Sequence, residues 1–120
     1  MKKIKWLDIP EEKDYAAVVD YLSLHFSNWR IQRAIKRLKK YPVKEFKAKD
    51  IFRSSELSLL GVSNSHVKKD QKKIKNGEKL SPILIVKHKN IPVIADGYHR
   101  LCAIYSYDED ALIRCKIAEL

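Results

Sequence analysis

Glycine is scarce in this chain, with three in 120 residues, at Gly61, Gly77 and Gly97. That excludes a Walker loop and a nucleotide-binding glycine triplet, which need several glycines in a short run. Any phosphate site must be built from a helix end and basic side chains. Cysteine is nearly absent. Cys102 and Cys115 form neither a disulfide framework nor a metal-ligand spacing. The histidines His25, His66, His88 and His99 show no metal spacing either, so no metal centre is predicted. No apolar run is long enough to span a bilayer, and no membrane partner is expected. The basic N-terminus lacks an apolar h-region and reads as no signal peptide. Together these absences predict a protein of the reducing cytoplasm.

Acid is short as well. The net charge is +10, and the basic excess lies in two stretches. Asn28 to Lys40 carries Arg30, Arg33, Lys36, Arg37, Lys39 and Lys40 with no acid. Asn64 to Lys79 carries Lys68, Lys69, Lys72, Lys73, Lys75 and Lys79 against Asp70 and Glu78. Such surfaces attract nucleic acid, a nucleotide or an acidic protein. If the two stretches adjoin in the fold, they form one positive surface, with Arg30, Arg33, Lys36, Arg37, Lys40, Lys68 and Lys72 as its contacts. No aromatic side chains are read as interleaved stacking platforms, which weighs toward solvated helix faces.

The length and the 45% hydrophobic content suit one domain with one modest core. Tyr15, Val18, Val19, Leu22 and Phe26 form the apolar stripe of a helix over Glu11 to Phe26. Ile31, Ala34, Ile35 and Leu38 do the same for a helix over Asn28 to Lys40, ended by Tyr41-Pro42. The short connection predicts a helical hairpin, and His25 beside the first stripe reads as structural. Val43 to Lys47 reads as a strand and Ala48 to Arg53 as one helical turn. Ser54 to Ser65 reads as a loop with an apolar patch of Leu57, Leu59 and Leu60. Asn64 or Ser65 caps a helix that Gly77 stops. Ile83 to Val86 and Ile91 to Ala95 read as strands around a turn at Lys87 to Asn90. Tyr98 to Tyr105 reads as a helix, Ser106 to Asp110 as a polar loop, and Leu112 to Ala118 as the closing strand.

The run Val93-Ile94-Ala95-Asp96-Gly97-Tyr98-His99-Arg100-Leu101-Cys102-Ala103 carries the chemistry. It reads as strand, Asp-Gly turn and helix start. A helix N-terminus favours an anion through its backbone N–H groups and dipole. Gly97 permits close approach, Arg100 can grip two phosphate oxygens, and His99 can donate from its imidazole. The predicted phosphate ligands are therefore Gly97, Tyr98, His99 and Arg100. Asp96 suits two roles: N-cap of the helix, the commoner one and the one expected here, or a base or metal ligand. Asp96 and His99 are the candidate catalytic groups.

Asp-Gly-Tyr-His-Arg followed by Ala103 resembles the phosphate-binding box of the ParB/sulfiredoxin superfamily. Lys79-Leu80-Ser81-Pro82-Ile83-Leu84-Ile85-Val86 resembles that family's Pro-containing strand. The likeness covers roughly Tyr41 to Leu120. It implies an α+β fold with a small mixed sheet, the hairpin at 11–40 being an N-terminal addition. It also implies a phosphate ligand, with ATP, ADP or CTP and magnesium as candidate cofactors. The family's nucleotide-binding helix would correspond to the one carrying His66, Lys69 and Lys73, which lie on one face at i, i+3 and i+7. Tyr98 stands where sulfiredoxins carry their catalytic cysteine. A phenol cannot do thiolate chemistry, so sulfinic acid reduction is not expected. Cys102 and Cys115 read as core residues.

Three functions follow as expectations. The first is a module binding a nucleotide or phosphorylated small molecule, extending to phosphoryl transfer or nucleotide hydrolysis. The second is a nucleic-acid binder, DNA or RNA, with a ParB-like nuclease activity. The third is an adaptor that docks an acidic protein. Phosphoryl transfer needs a base or metal beside the phosphate. The acids nearest in sequence are Asp96 and Asp108-Glu109-Asp110, and the latter reads as a solvated loop.

Overall fold

Four strands, three of them from the C-terminal half, build a mixed sheet. The computed structural model describes residues 3–55 and 64–120. Strands β2 (Lys44–Lys47), β4 (Ile83–His88), β5 (Ile91–Asp96) and β6 (Leu112–Glu119) lie in the order β2-β6-β4-β5. The β4–β5 and β2–β6 pairs are antiparallel, and β4–β6 is parallel. Two short strands, β1 (Lys5–Trp6) and β3 (Lys79–Leu80), pair in parallel beside it. The chain is thus α+β.

Strand β4 explains the layering. Ile83 and Ile85 point to one face, and Leu84 and Val86 to the other, and all four are buried. An apolar run of this kind requires cover on both faces. Helices α1 (Glu12–Leu22) and α2 (Asn28–Lys40) cover the Leu84 face, where Val18, Leu22, Ile31, Ala34 and Leu38 interlock. Helices α3 (Ala48–Ser55), α4 (Ser65–Lys75) and α5 (Tyr98–Tyr107) cover the Ile83 face with Ile51, Phe52, Val67, Ile74 and Leu101. The hairpin of α1 and α2 forms as its two stripes predict.

Several boundaries move. Helix α1 stops at Leu22 rather than Phe26, because Ser23 to Phe26 turn the chain into α2. Phe26 still packs on the core edge, but His25 is exposed. Residues 48–55 make two helical turns, not one, since Ile51, Phe52 and Ser55 find a buried face. Helix α5 runs on to Tyr107. The β4–β5 turn needs no glycine: Lys89 and Asn90 take φ of 51° and 66°, the positive pair that a two-residue hairpin turn requires. The apolar patch Leu57, Leu59 and Leu60 lies outside the described residues. No helix among the described residues is long and apolar enough to cross a membrane.

Candidate functional site

Strand β5 ends at Asp96, and Gly97 turns the chain into α5 with φ 104° and ψ 16°. Only glycine takes that conformation freely. Space forbids a side chain as well: a Cβ on Gly97 would sit 2.7 Å from Arg100 Nη2 and 2.8 Å from Ile83 Cγ1. The Arg100 guanidinium is folded back over the Gly97 backbone.

Gly97, not Asp96, is the N-cap of α5, which corrects the expected capping role of Asp96. The carboxylate is turned elsewhere, accepting a hydrogen bond from Arg100 Nη2 at 2.7 Å. Arg100 Nη1 lies 3.6 Å from Oδ1 of Asp14. The Arg100 side chain is 15% exposed and Asp14 is 5% exposed, so this is an interior ion pair shared by two carboxylates. Arg100 is therefore not the free two-pronged phosphate grip that the sequence suggests; part of its charge is already matched. Asp14 is held in turn, because its Oδ2 accepts the Glu11 backbone N–H at 2.8 Å at the start of α1. Ser81 Oγ donates to Glu11 Oε1 at 3.1 Å.

The helix start is nonetheless open. A polar cavity of about 190 Å³ lies against Asp96, Gly97, His99 and Arg100. Lys73 enters it from α4, and Lys79, Leu80 and Ser81 from β3 and the residue after it. Glu11 and Lys13 enter from the start of α1, and Asp70 from α4. Four permanent cations, three carboxylates and one imidazole thus face one small space. Burial pushes the Asp96 carboxyl above the usual carboxylate range; Arg100 pulls it back and Asp14 pushes it up further. Burial likewise raises Asp70, against the opposing pull of Arg100, Lys73 and His99.

Of the predicted ligands, Gly97, His99, Arg100 and Lys73 reach the cavity. Tyr98 does not line it: its ring packs toward the core, 6.5 Å edge-on from Phe52. His66 stands behind His99, ring centroids 4.7 Å apart, and neither His66 nor Lys69 lines the cavity. On α4, Lys73 of the predicted set and the unpredicted Asp70 face the cavity, while Val67 and Ile74 are buried in the core and His66 packs against His99. The residues that sequence reasoning missed are Glu11, Lys13, Asp14, Asp70, Lys79 and Ser81. Only Asp14 carried a signal: an acid at the third position of a helix, where it caps. Asp110 is tied to Lys49 at 2.6 Å and to Lys47 at 3.7 Å, which anchors the Asp108-Glu109-Asp110 loop to the start of α3.

The two basic stretches do not merge. Helix α2 packs on β6 and α1, and α4 packs on α5, with the sheet between them. Lys68 and Lys72 therefore belong to a different surface from Arg30, Arg33, Lys36, Arg37 and Lys40. An aromatic side chain does stand among the latter: Trp29 is 64% exposed, with the Arg33 guanidinium 4.9 Å over its ring. Among the described residues no three histidine, cysteine, aspartate or glutamate side chains cluster as metal ligands.

No protein-family model matches the chain, and neither a curated protein nor a solved structure matches it significantly.

Proposed function

We propose that the cavity at the start of α5 binds the phosphate group of a small ligand. One observation carries the reading: Lys13, Lys73, Lys79 and the edge of Arg100 converge on the αL-capped start of α5. First-turn N–H groups and a helix dipole add to side-chain cations there, which is the arrangement that favours phosphate over a neutral group. The likeness of Asp-Gly-Tyr-His-Arg to the ParB/sulfiredoxin box points the same way. A cavity of about 190 Å³ takes a phosphate and the few atoms next to it. The base and sugar of ATP, ADP or CTP would extend past its rim. Magnesium is commonly held by one or two carboxylates and the phosphates themselves; Asp70 and Asp96 are the carboxylates at hand.

The acids in the cavity bear on what the phosphate is attached to. Asp96 and Asp70 suit a ligand that also carries hydroxyl or ammonium donors, so a phosphorylated polar small molecule fits better than inorganic phosphate alone. For phosphoryl transfer, Asp96 is the residue placed to accept a proton from a hydroxyl.

The test is a thermal-shift screen of phosphorylated sugars, phosphorylated amino acids, nucleotides and inorganic phosphate, each with and without magnesium. Amide NMR then maps each hit. The expected result is a raised Tm for at least one phosphorylated ligand, with shifts at Gly97 to Arg100 that vanish in Lys73→Ala/Lys79→Ala. If no phosphorylated compound raises Tm or moves those amides, the proposal fails.

A further inference from the structure

The outward face of α2 is built differently from the cavity and lies on the other side of the sheet. Its apolar residues Ile31, Ala34, Ile35 and Leu38 are buried against α1 and the sheet. Three of its cations are tied down. Arg30 is half-buried with its guanidinium 5.1 Å over the partly buried Phe26 ring, whereas Arg33 is exposed. Arg37 donates to the Glu119 carbonyl at 3.2 Å. Lys39 pairs with Glu12 at 3.3 Å. What remains outward is Trp29, Arg33, Lys36 and Lys40, at i, i+4, i+7 and i+11. At 3.6 residues per turn these fall within an arc of about 60° and extend along about 16 Å of helix. Arg33, Lys36 and Lys40 have no carboxylate partner among the described residues.

The geometry points to single-stranded nucleic acid as the partner of this stripe, with Trp29 as the stacking platform for one base and Arg33, Lys36 and Lys40 as contacts to the phosphates that follow. An exposed indole beside a row of cations is the pairing that unstacked nucleic acid requires, a flat apolar face and a track of positive charge. Arg33 already stacks on the indole, so a base can sandwich against the free face with the guanidinium polarising the ring. A duplex offers no unstacked base to Trp29. An anionic membrane would need an apolar helix face free to insert, and the apolar face of α2 is buried. An acidic protein would satisfy the cations, and its binding in place of oligo-dT is an outcome of the test.

Fluorescence anisotropy of a labelled twelve-nucleotide oligo-dT, titrated with the intact chain, tests this. At low salt the oligo-dT is expected to bind at least tenfold tighter than a duplex of equal length. With three phosphates neutralised, log K should fall against log salt with a slope near −2. Trp29→Ala should weaken oligo-dT binding about tenfold, and Trp29→Phe should recover most of it. Lys36→Ala/Lys40→Ala should flatten the salt slope with Trp29 intact. Trp29 is exposed, so these variants should keep the parental far-UV spectrum and Tm. Equal affinity for duplex and single strand, an unchanged affinity in Trp29→Ala, or binding only to anionic vesicles or an acidic polypeptide would each overturn the assignment.

Discussion

Asp14 on α1 lies 3.6 Å from Arg100 on α5, an ion pair that joins the N-terminal hairpin to the Asp-Gly-Tyr-His-Arg turn. The hairpin is therefore part of the site and not an appendage to it. The guanidinium lies against Gly97, and Asp96, whose carboxyl neighbours that of Asp14, is its second partner at 2.7 Å. One guanidinium thus clamps the end of a strand, a helix start and a second helix from the opposite face of the sheet.

Breaking the clamp should cost stability. Asp14→Asn keeps the side-chain volume but removes the charge facing Arg100. It also weakens the acceptor for the Glu11 N–H. Weakening that charge-assisted bond and leaving Arg100 with one carboxylate costs about 1.5–3 kcal/mol. Urea denaturation followed by circular dichroism should show the midpoint fall without a change in slope. An unchanged midpoint would mean that Arg100 is held by Asp96 alone.

Gly97→Ala should be destabilising for two separate reasons. Its φ of 104° strains any L side chain, and the new Cβ would collide with Ile83 as well as Arg100. Backbone strain of this type costs about 1–3 kcal/mol, before the displaced Arg100 is counted. The Tm should drop, and the phosphate-dependent rise in Tm should disappear with it. A variant that melts like the parent would show that the turn can relax into another conformation.

The buried acids set a pH signature. The Asp96 carboxyl is raised in the folded protein, chiefly by burial. The folded state therefore holds this proton to higher pH than the unfolded chain does. This contribution to stability is fully present below the unfolded carboxylate value. It is lost as pH rises through the folded value. Asp96→Asn removes that dependence. The Tm difference, variant minus parent, should become more positive as pH rises from about 4 toward neutrality. A difference that stays flat across that window would show that Asp96 is ionised throughout.

Leu22 is 1% exposed at the contact of α1 with α2 and β4. Leu22→Ala should cost about 2–5 kcal/mol, the range for a buried leucine truncated without collapse of the space. Thermal melting reads the loss directly. Stability within a fraction of a kilocalorie of the parent would mean that the hairpin does not carry the Leu84 face of the core.

Cys102 and Cys115 are buried and form no disulfide. Burial pushes the Cys115 thiol up to about 12, so almost no thiolate exists at neutral pH. Neither residue lines the cavity. Thiol titration should be slow in the native protein and complete on unfolding. Replacing both with Ala should leave any ligand-dependent Tm shift in place. Its loss in a folded double variant would reinstate thiol chemistry at this site.

The amino-acid sequence by itself determined the elements whose signal is local. Helix α2 follows from the spacing of Ile31, Ala34, Ile35 and Leu38 between Ser27 and Pro42. The Asn64 cap of α4 follows from side-chain chemistry, its carboxamide oxygen accepting the His66 and Val67 N–H groups. The strand-turn-helix at Gly97 is equally local, because one residue with positive φ makes the turn. The reach of Asp14 to Arg100, the partition of Lys73 from Lys69, and the separation of the two basic stretches across the sheet were decided only by the tertiary structure. Each depends on which face of a helix meets which strand, and that is set by the combined packing of distant apolar stripes, not by any stretch that carries the charge. Burial then altered the chemistry. The side chain of Asp96 is that of any aspartate; its raised carboxyl and its bond to Arg100 exist because α1 closes over the end of β5 and withholds the water that would otherwise solvate the charge.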